Sequence, residues 1–200
     1  MHTAYIGMGA NLASWAGAPE ATLAAVAQRL ESLGRVVRRS SLYSTAPVGF
    51  AEQPRFLNAV VELETDLEPR ELLDGLLGLE LEFGRDRAAG FANGPRTLDL
   101  DILLFDDVKI SEPGLEIPHP RLAERAFVLA PLSEVAERVL EGKCGSVVSQ
   151  LLHHRFPIAD SGFHDVEQIQ SDAWRAGADR GFERPDAPAR TDPCDHHSGG

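Results

Sequence analysis

Two hundred residues, 43% hydrophobic and 25% charged, suit one globular domain with room for a tail. A net charge of −12, from 31 acidic against 19 basic side chains, argues against a nucleic-acid or anionic-membrane surface, which wants a basic face. No apolar run approaches the ~20 residues of a membrane span. Cys144 and Cys194 lie too far apart for a disulfide framework or a close metal spacing. Met1-His2-Thr3-Ala4-Tyr5 shows no basic region leading into a long apolar core, so a cytoplasmic location is expected.

In chain order, Thr3 to Met8 reads as a strand ended by Gly9-Ala10-Asn11. Pro19 to Leu33 reads as an amphipathic helix: Leu23, Val26, Leu30 and Leu33 recur at helical spacing, and Gly34 stops it. Arg35 to Tyr43 is a second strand. The stretch from Ser44 to Pro54, with two prolines and a glycine, is a loop. Phe56 to Thr65 alternates and is rich in β-branched residues, so it is a third strand. Pro69 to Phe83 is a second helix with Leu72, Leu76, Leu79 and Phe83 on one face. A long loop from Gly84 to Thr97 carries three arginines, and Leu98 to Phe105 is the fourth strand. The order β-α-β-β-α-β predicts a ferredoxin-like α/β (α+β) fold, with helices packed on an antiparallel sheet. A short strand near Val108–Ile110, a Pro-His-Pro turn at 118–120 and helices near Phe127–Arg138 and Ser146–His154 follow. The domain is expected over 1–160. Residues 161–200, poor in apolar side chains, read as a disordered acidic tail in which Trp174 and Phe182 stand isolated.

The densest chemistry lies in Gly94-Pro95-Arg96-Thr97-Leu98-Asp99-Leu100-Asp101 and the apolar run after it. From Leu98 the alternation puts Leu98, Leu100, Ile102 and Leu104 on one face and Asp99 and Asp101 on the other. The two carboxylates then lie about 7 Å apart along the strand. Two such groups leading into an apolar strand repel one another and resist burial. A hard divalent cation removes both difficulties and keeps positions for water and phosphate. Arg96, three residues before Asp99, adds a phosphate-binding group, and Arg85 and Arg87 lie nearby in sequence.

This octapeptide closely resembles the signature of the 6-hydroxymethyl-7,8-dihydropterin pyrophosphokinase family. Three further segments agree in order and spacing: Tyr5 to Leu12, Thr45 to Gly49 with Gln53 to Val60, and Ile117 to Pro120 with Arg125 to Leu129. The resemblance covers roughly residues 3 to 156. It implies transfer of a diphosphate from ATP to the hydroxymethyl group of 6-hydroxymethyl-7,8-dihydropterin, releasing AMP, in folate biosynthesis. It implies that Asp99 and Asp101 hold two Mg²⁺ ions and that Arg96 and Arg125 act at the reacting phosphates. Arg85, Arg87, Arg96, His119 and Arg125 would bind ATP. Phe56 and Phe127 would sandwich the pterin, Asn58 would match its donor-acceptor edge, and Thr45, Pro47 and Val48 would complete the pocket. ATP and the pterin are the expected partners of a monomer, with no nucleic acid and no membrane.

Plainer readings stand beside these. An isolated Asp-x-Asp is often a solvated strand face, loop arginines usually sit in solvent, and phenylalanines are usually core. Glu80 reads as a helix-surface residue. His119 between two prolines could simply shape a turn. Cys194-Asp195-His196-His197 resembles a metal tract but falls in the tail, and His153-His154 suit a helix C-terminus. The chain also departs from the pattern. Ala92 and Asn93 stand where many family members place an arginine, often with a tryptophan, and the loop is one residue longer. Ala46 and Pro120 replace a frequent proline and an occasional aromatic. The alternatives are a non-catalytic ATP- or pterin-binding relative and an RNA-binding ferredoxin-like module.

Overall fold

A computed structural model describes residues 1–87, 91, 93–136 and 165–176. Its elements are β1 (His2–Ala10), α1 (Pro19–Arg29) with a 3₁₀ turn at Leu30–Ser32, β2 (Arg35–Arg39), β3 (Leu42–Thr45), β4 (Phe56–Thr65), α2 (Pro69–Glu82), β5 (Asp99–Phe105), β6 (Ile110–Glu112), β7 (Leu115–Ile117), α3 (Ala126–Val135), β8 (Val166–Ile169) and α4 (Asp172–Ala176). The main sheet runs β5-β1-β4-β3-β8, with β2 also on β4, and every pairing is antiparallel. This is the expected ferredoxin-like order, with the first strand in the interior between β5 and β4.

Local chemistry explains the element ends. Proline at the first turn starts both α1 and α2. Glu68 and Glu71 close a reciprocal capping box at α2, with the Glu68 N–H donating to Glu71 at 2.9 Å. A Cβ on Gly34 would lie 2.3 Å from the Glu64 carbonyl oxygen, so only glycine lets the chain turn there into β2.

Two cores flank the sheet. Ala4, Ile6 and Met8 of β1 and Val61 and Leu63 of β4 pack with Leu23 and Leu30 near α1 and with Leu72 and Leu76 of α2. On the opposite face Tyr5, Val60 and Leu103 pack with Val128, Leu129 and Leu132 of α3. That second core covers only part of its face, and the remainder carries the site.

Several expectations need correction. β1 continues through Gly9 to Ala10, because Gly9 is paired on both edges and Ala10 with Leu57. The Arg35–Tyr43 stretch is two strands. At Ser40 the side chain enters the ladder, accepting the Val60 N–H at 2.9 Å, and the register slips by one residue. A second slip, opposite Tyr5/Ile6, puts Leu103 and Leu104 together in the α3-side core. Leu104 therefore leaves the face of Leu98, Leu100 and Ile102. The short strand after β5 lies at Ile110–Glu112 and forms a hairpin with Leu115–Ile117.

The tail expected to be disordered is ordered in part. β8 extends the sheet at β3, and Trp174 is buried, its indole N–H donating to the Ser40 carbonyl at 2.8 Å. A few apolar side chains suffice when a free sheet edge and a shallow apolar surface await them. The predicted helix at 146–154, the end of the predicted helix at 137–138, Cys144, Phe182 and the Cys194-to-His197 tract lie outside the described residues.

Candidate active site

The site begins with two glycines. Gly7 and Gly9 lie on the β1 face opposite the α1/α2 core. Gly9 is paired with Asn58 of β4 on one side and Asp99 of β5 on the other; Gly7 is paired with Val60 and Asp101. Lacking side chains, the two leave a trough between flanking strands that carry an amide on one side and carboxylates on the other. A Cβ on Gly9 would stand 3.2 Å from the Asn58 side-chain oxygen and 3.8 Å from the Asp99 Cβ.

Above this floor is a cavity of about 200 Å³, lined by Thr45, Val48, Phe56, Asn58, Arg96, Asp99, Arg125 and Phe127 among others. Phe56 and Phe127 are half-buried rather than core. The Arg96 guanidinium lies 5.5 Å from the Phe56 ring centre, and that of Arg125 lies 5.6 Å from Phe127. Asn58 is nearly fully buried and donates to the Thr45 hydroxyl at 2.8 Å. That bond uses one amide hydrogen and holds the side chain in place, leaving the other hydrogen and the oxygen for a ligand. Pro47 does not line this cavity.

Asp99 and Asp101 share the expected face. Asp99 accepts from the Arg85 guanidinium on one oxygen and from Arg96 at 2.8 Å on the other. Asp101 lies 3.9 Å from His119 Nε2 and 4.0 Å from Arg125. Burial, and then the Asp99 carboxylate, push the Asp101 carboxyl up from its ordinary value. Burial holds His119 below the usual imidazole range despite Asp101 beside it. Among the described residues no group of three or more His, Cys, Asp or Glu could hold a metal by itself. A pair of carboxylates at the edge of an open cavity fits Mg²⁺, which completes its shell with phosphate oxygens and water.

Arg85 and Arg87 face a neighbouring cavity of about 450 Å³, bounded also by Leu12, Phe91 and Gly94. Both are held by Glu80, which is 1% exposed and thus no surface residue. Glu80 accepts from Arg85 at 2.5 Å, from Arg87 at 2.5 and 2.9 Å, and from the Leu100 backbone N–H at 2.8 Å. Arg85 thereby bridges Glu80 and Asp99. Helical spacing held the signal, since Glu80 stands four residues after Leu76 and three before Phe83 on the apolar face, and the loop after the helix folds back to supply its partners.

Asn11 is a second residue without an assigned role in the sequence reading. Its side chain donates to Gln53 and to the Pro54 carbonyl, both at 3.0 Å, and accepts the Arg96 N–H at 2.8 Å. Gln53 donates onward to the Phe50 and Asn93 carbonyls at 2.7 and 2.8 Å. The end of β1 thus ties the loop before β4 to the loop before β5. The signal in the sequence is a lone asparagine closing an apolar strand just after Gly9-Ala10.

The sequence model of the 7,8-dihydro-6-hydroxymethylpterin-pyrophosphokinase family matches residues 5–137. The 2-amino-4-hydroxy-6-hydroxymethyldihydropteridine pyrophosphokinase of Pseudomonas aeruginosa is 46% identical over 132 residues, covering 66% of this chain and 79% of the relative. That of Bacillus subtilis is 43% identical over 136 residues, 68% of this chain and 79% of the relative. That of Methylorubrum extorquens is 38% identical over 169 residues, 84% of this chain and 100% of the relative. Among solved structures, wild-type Plasmodium falciparum HPPK-DHPS with pteroate superposes with a TM-score of 0.55 at 15% identity. The match covers 84% of this chain and 48% of that one, so the chain spans about half the length of that protein, and the likeness concerns the fold. With floor, cavity and sequence in agreement, the chain belongs to the 7,8-dihydro-6-hydroxymethylpterin-pyrophosphokinase family.

Proposed function

We propose that the cavity over Gly9 takes the pterin and that Asp99 and Asp101 mark where the phosphates meet it. The reaction is transfer of diphosphate from ATP to the hydroxymethyl group of 6-hydroxymethyl-7,8-dihydropterin, a step of folate biosynthesis. The hydroxymethyl oxygen bonds to the β-phosphorus, the bond from that phosphorus to the α–β bridging oxygen breaks, and AMP leaves with that oxygen. The hydroxyl proton passes to solvent water. Such a transfer depends mainly on positioning and on neutralising phosphate charge.

In this reading Phe56 and Phe127 stack on the flat ring, and the Asn58 amide takes its donor-acceptor edge, held by Thr45 and flanked by Val48. Pro47 shapes the loop that brings Thr45 and Val48 there. Asp99 and Asp101 would hold two Mg²⁺, which when bound neutralises phosphate oxygens and orients the hydroxyl. Arg85 and Arg96, which pair with Asp99 in the free protein, then turn to the phosphates. Arg87, Arg125 and His119 complete the ATP contacts, with Glu80 setting the direction of Arg85 and Arg87. A cytoplasmic monomer acting on ATP and the pterin, without nucleic acid or membrane, completes the reading; the net charge of −12 supports the absence of anionic partner surfaces.

The observation that carries this reading is the convergence of Phe56, Asn58, Phe127, Arg96 and Asp99 on one cavity. A coupled assay with ATP, Mg²⁺ and the pterin should release one AMP per pterin consumed. Tight binding of pterin or ATP with no AMP formed would instead mark a non-catalytic relative.

A further inference from the structure

We propose that Arg121 is a contact for the transferred diphosphate, kept in place by Glu124 until that group arrives. The inference rests on the reading above, in which the cavity holds the pterin beside Asp99. Arg121 and Glu124 both line that cavity, from the turn between His119 and Arg125. The Arg121 backbone N–H donates to His119 Nδ1 at 3.1 Å, which fixes the start of the turn.

The cavity has three arginines in its wall, and two of them are engaged. Arg96 bonds Asp99 at 2.8 Å and lies over Phe56; Arg125 lies over Phe127 and 4.0 Å from Asp101. Among the described residues the Arg121 side chain is paired only with Glu124, at 3.8 Å, and the two side chains are 48% and 64% exposed. An ion pair between side chains so exposed is worth little and is readily exchanged. The pterin ring is neutral and is matched by an amide and two aromatic rings, so it gives a third guanidinium nothing to neutralise. The diphosphate ester is multiply anionic, and a guanidinium takes phosphate oxygens two at a time. Arg121 and Arg125 stand in the wall of the same cavity, and an anion between two such cations relieves their repulsion.

Arg121 should therefore distinguish the diphosphate ester from the alcohol. Calorimetry on the full chain with Mg²⁺ would measure the dissociation constants of both ligands. Arg121→Ala should weaken the ester roughly tenfold and leave the alcohol unchanged, with Arg121→Lys in between. Glu124→Gln removes the competitor for Arg121 and should tighten the ester a few-fold. Equal effects of Arg121→Ala on both ligands, no effect on the ester, or a weaker ester in Glu124→Gln would overturn the inference. These outcomes are separate from failure of the reaction itself, which would appear as absent AMP from the unaltered protein.

Discussion

Asp99 has both carboxylate oxygens occupied by cations of its own chain, while among the described residues the ion-pair partners of Asp101 are His119 and Arg125 at 3.9–4.0 Å. The pair thus presents one closely paired and one loosely paired carboxylate. Asp99→Ala and Asp101→Ala should each cut turnover by at least two orders of magnitude with the fold intact, because charge stabilisation at the phosphates is lost. AMP release and thermal unfolding, measured together, check this; near-normal turnover in either variant would remove the proposed role. Glu80 makes the opposite case. It is buried and accepts from Arg85, Arg87 and the Leu100 backbone N–H, so Glu80→Ala strips a buried N–H of its acceptor and should cost about 1–3 kcal/mol in urea unfolding. ATP binding should suffer more than pterin binding, since Arg85 and Arg87 lose their anchor. Phe127→Ala should weaken pterin binding by about 1–3 kcal/mol through lost ring contact. Unchanged calorimetric affinity would speak against stacking.

At the scale of elements, β1 is both an interior strand of the sheet and the floor of the site. Glycine weakens a strand, yet Gly9 is paired on both sides and its missing side chain is the space above it. Gly9→Ala brings a methyl to 3.2 Å of the Asn58 oxygen. That side chain is held by Thr45, so it has little room to yield. Pterin affinity should fall by about 1 kcal/mol while the unfolding midpoint barely moves, and equal losses of both would contradict a site-specific effect. The elements themselves were largely legible: Phe56–Thr65 is bounded as read from its alternation, and α1 and α2 begin at their prolines. The slips at Ser40 and beside Leu103 were not. A register shift depends on what the partner strand offers, and alternation within one strand carries no record of it.

Across the whole molecule, ligand loops and tail meet the sheet at different edges. The loops around Phe50 and Phe91 touch through an edge-to-face ring contact at 5.4 Å and through Gln53. Hydrogen exchange in 50–54 and 93–96 should slow together when an ATP analogue, Mg²⁺ and the pterin are added. Exchange equally slow without them would show loops already closed. At the far edge, Arg55 donates to the Ser44 side chain and carbonyl and to the Asp165 carbonyl, tying β8 to the strand that carries Thr45. Trp174→Ala should destabilise the protein by about 3 kcal/mol through the cavity it leaves. An unshifted urea midpoint would mean that the segment contributes nothing to the fold.

The order of elements, the pairing of Asp99 with Asp101 on one face and the family were all legible from the chain itself, because periodicity and short motifs are local properties. Which residues converge was decided only in three dimensions. Glu80 went from apparent surface to buried anchor, Asn11 became the tie between two loops, Arg121 came to face the pterin cavity, and Trp174 docked on Ser40. Asn11 and Trp174 meet partners 42 to 134 residues away, while Glu80 and Arg121 meet theirs where a loop or turn folds over a helix end or a cavity, and such contacts are set by packing of the sheet and its loops.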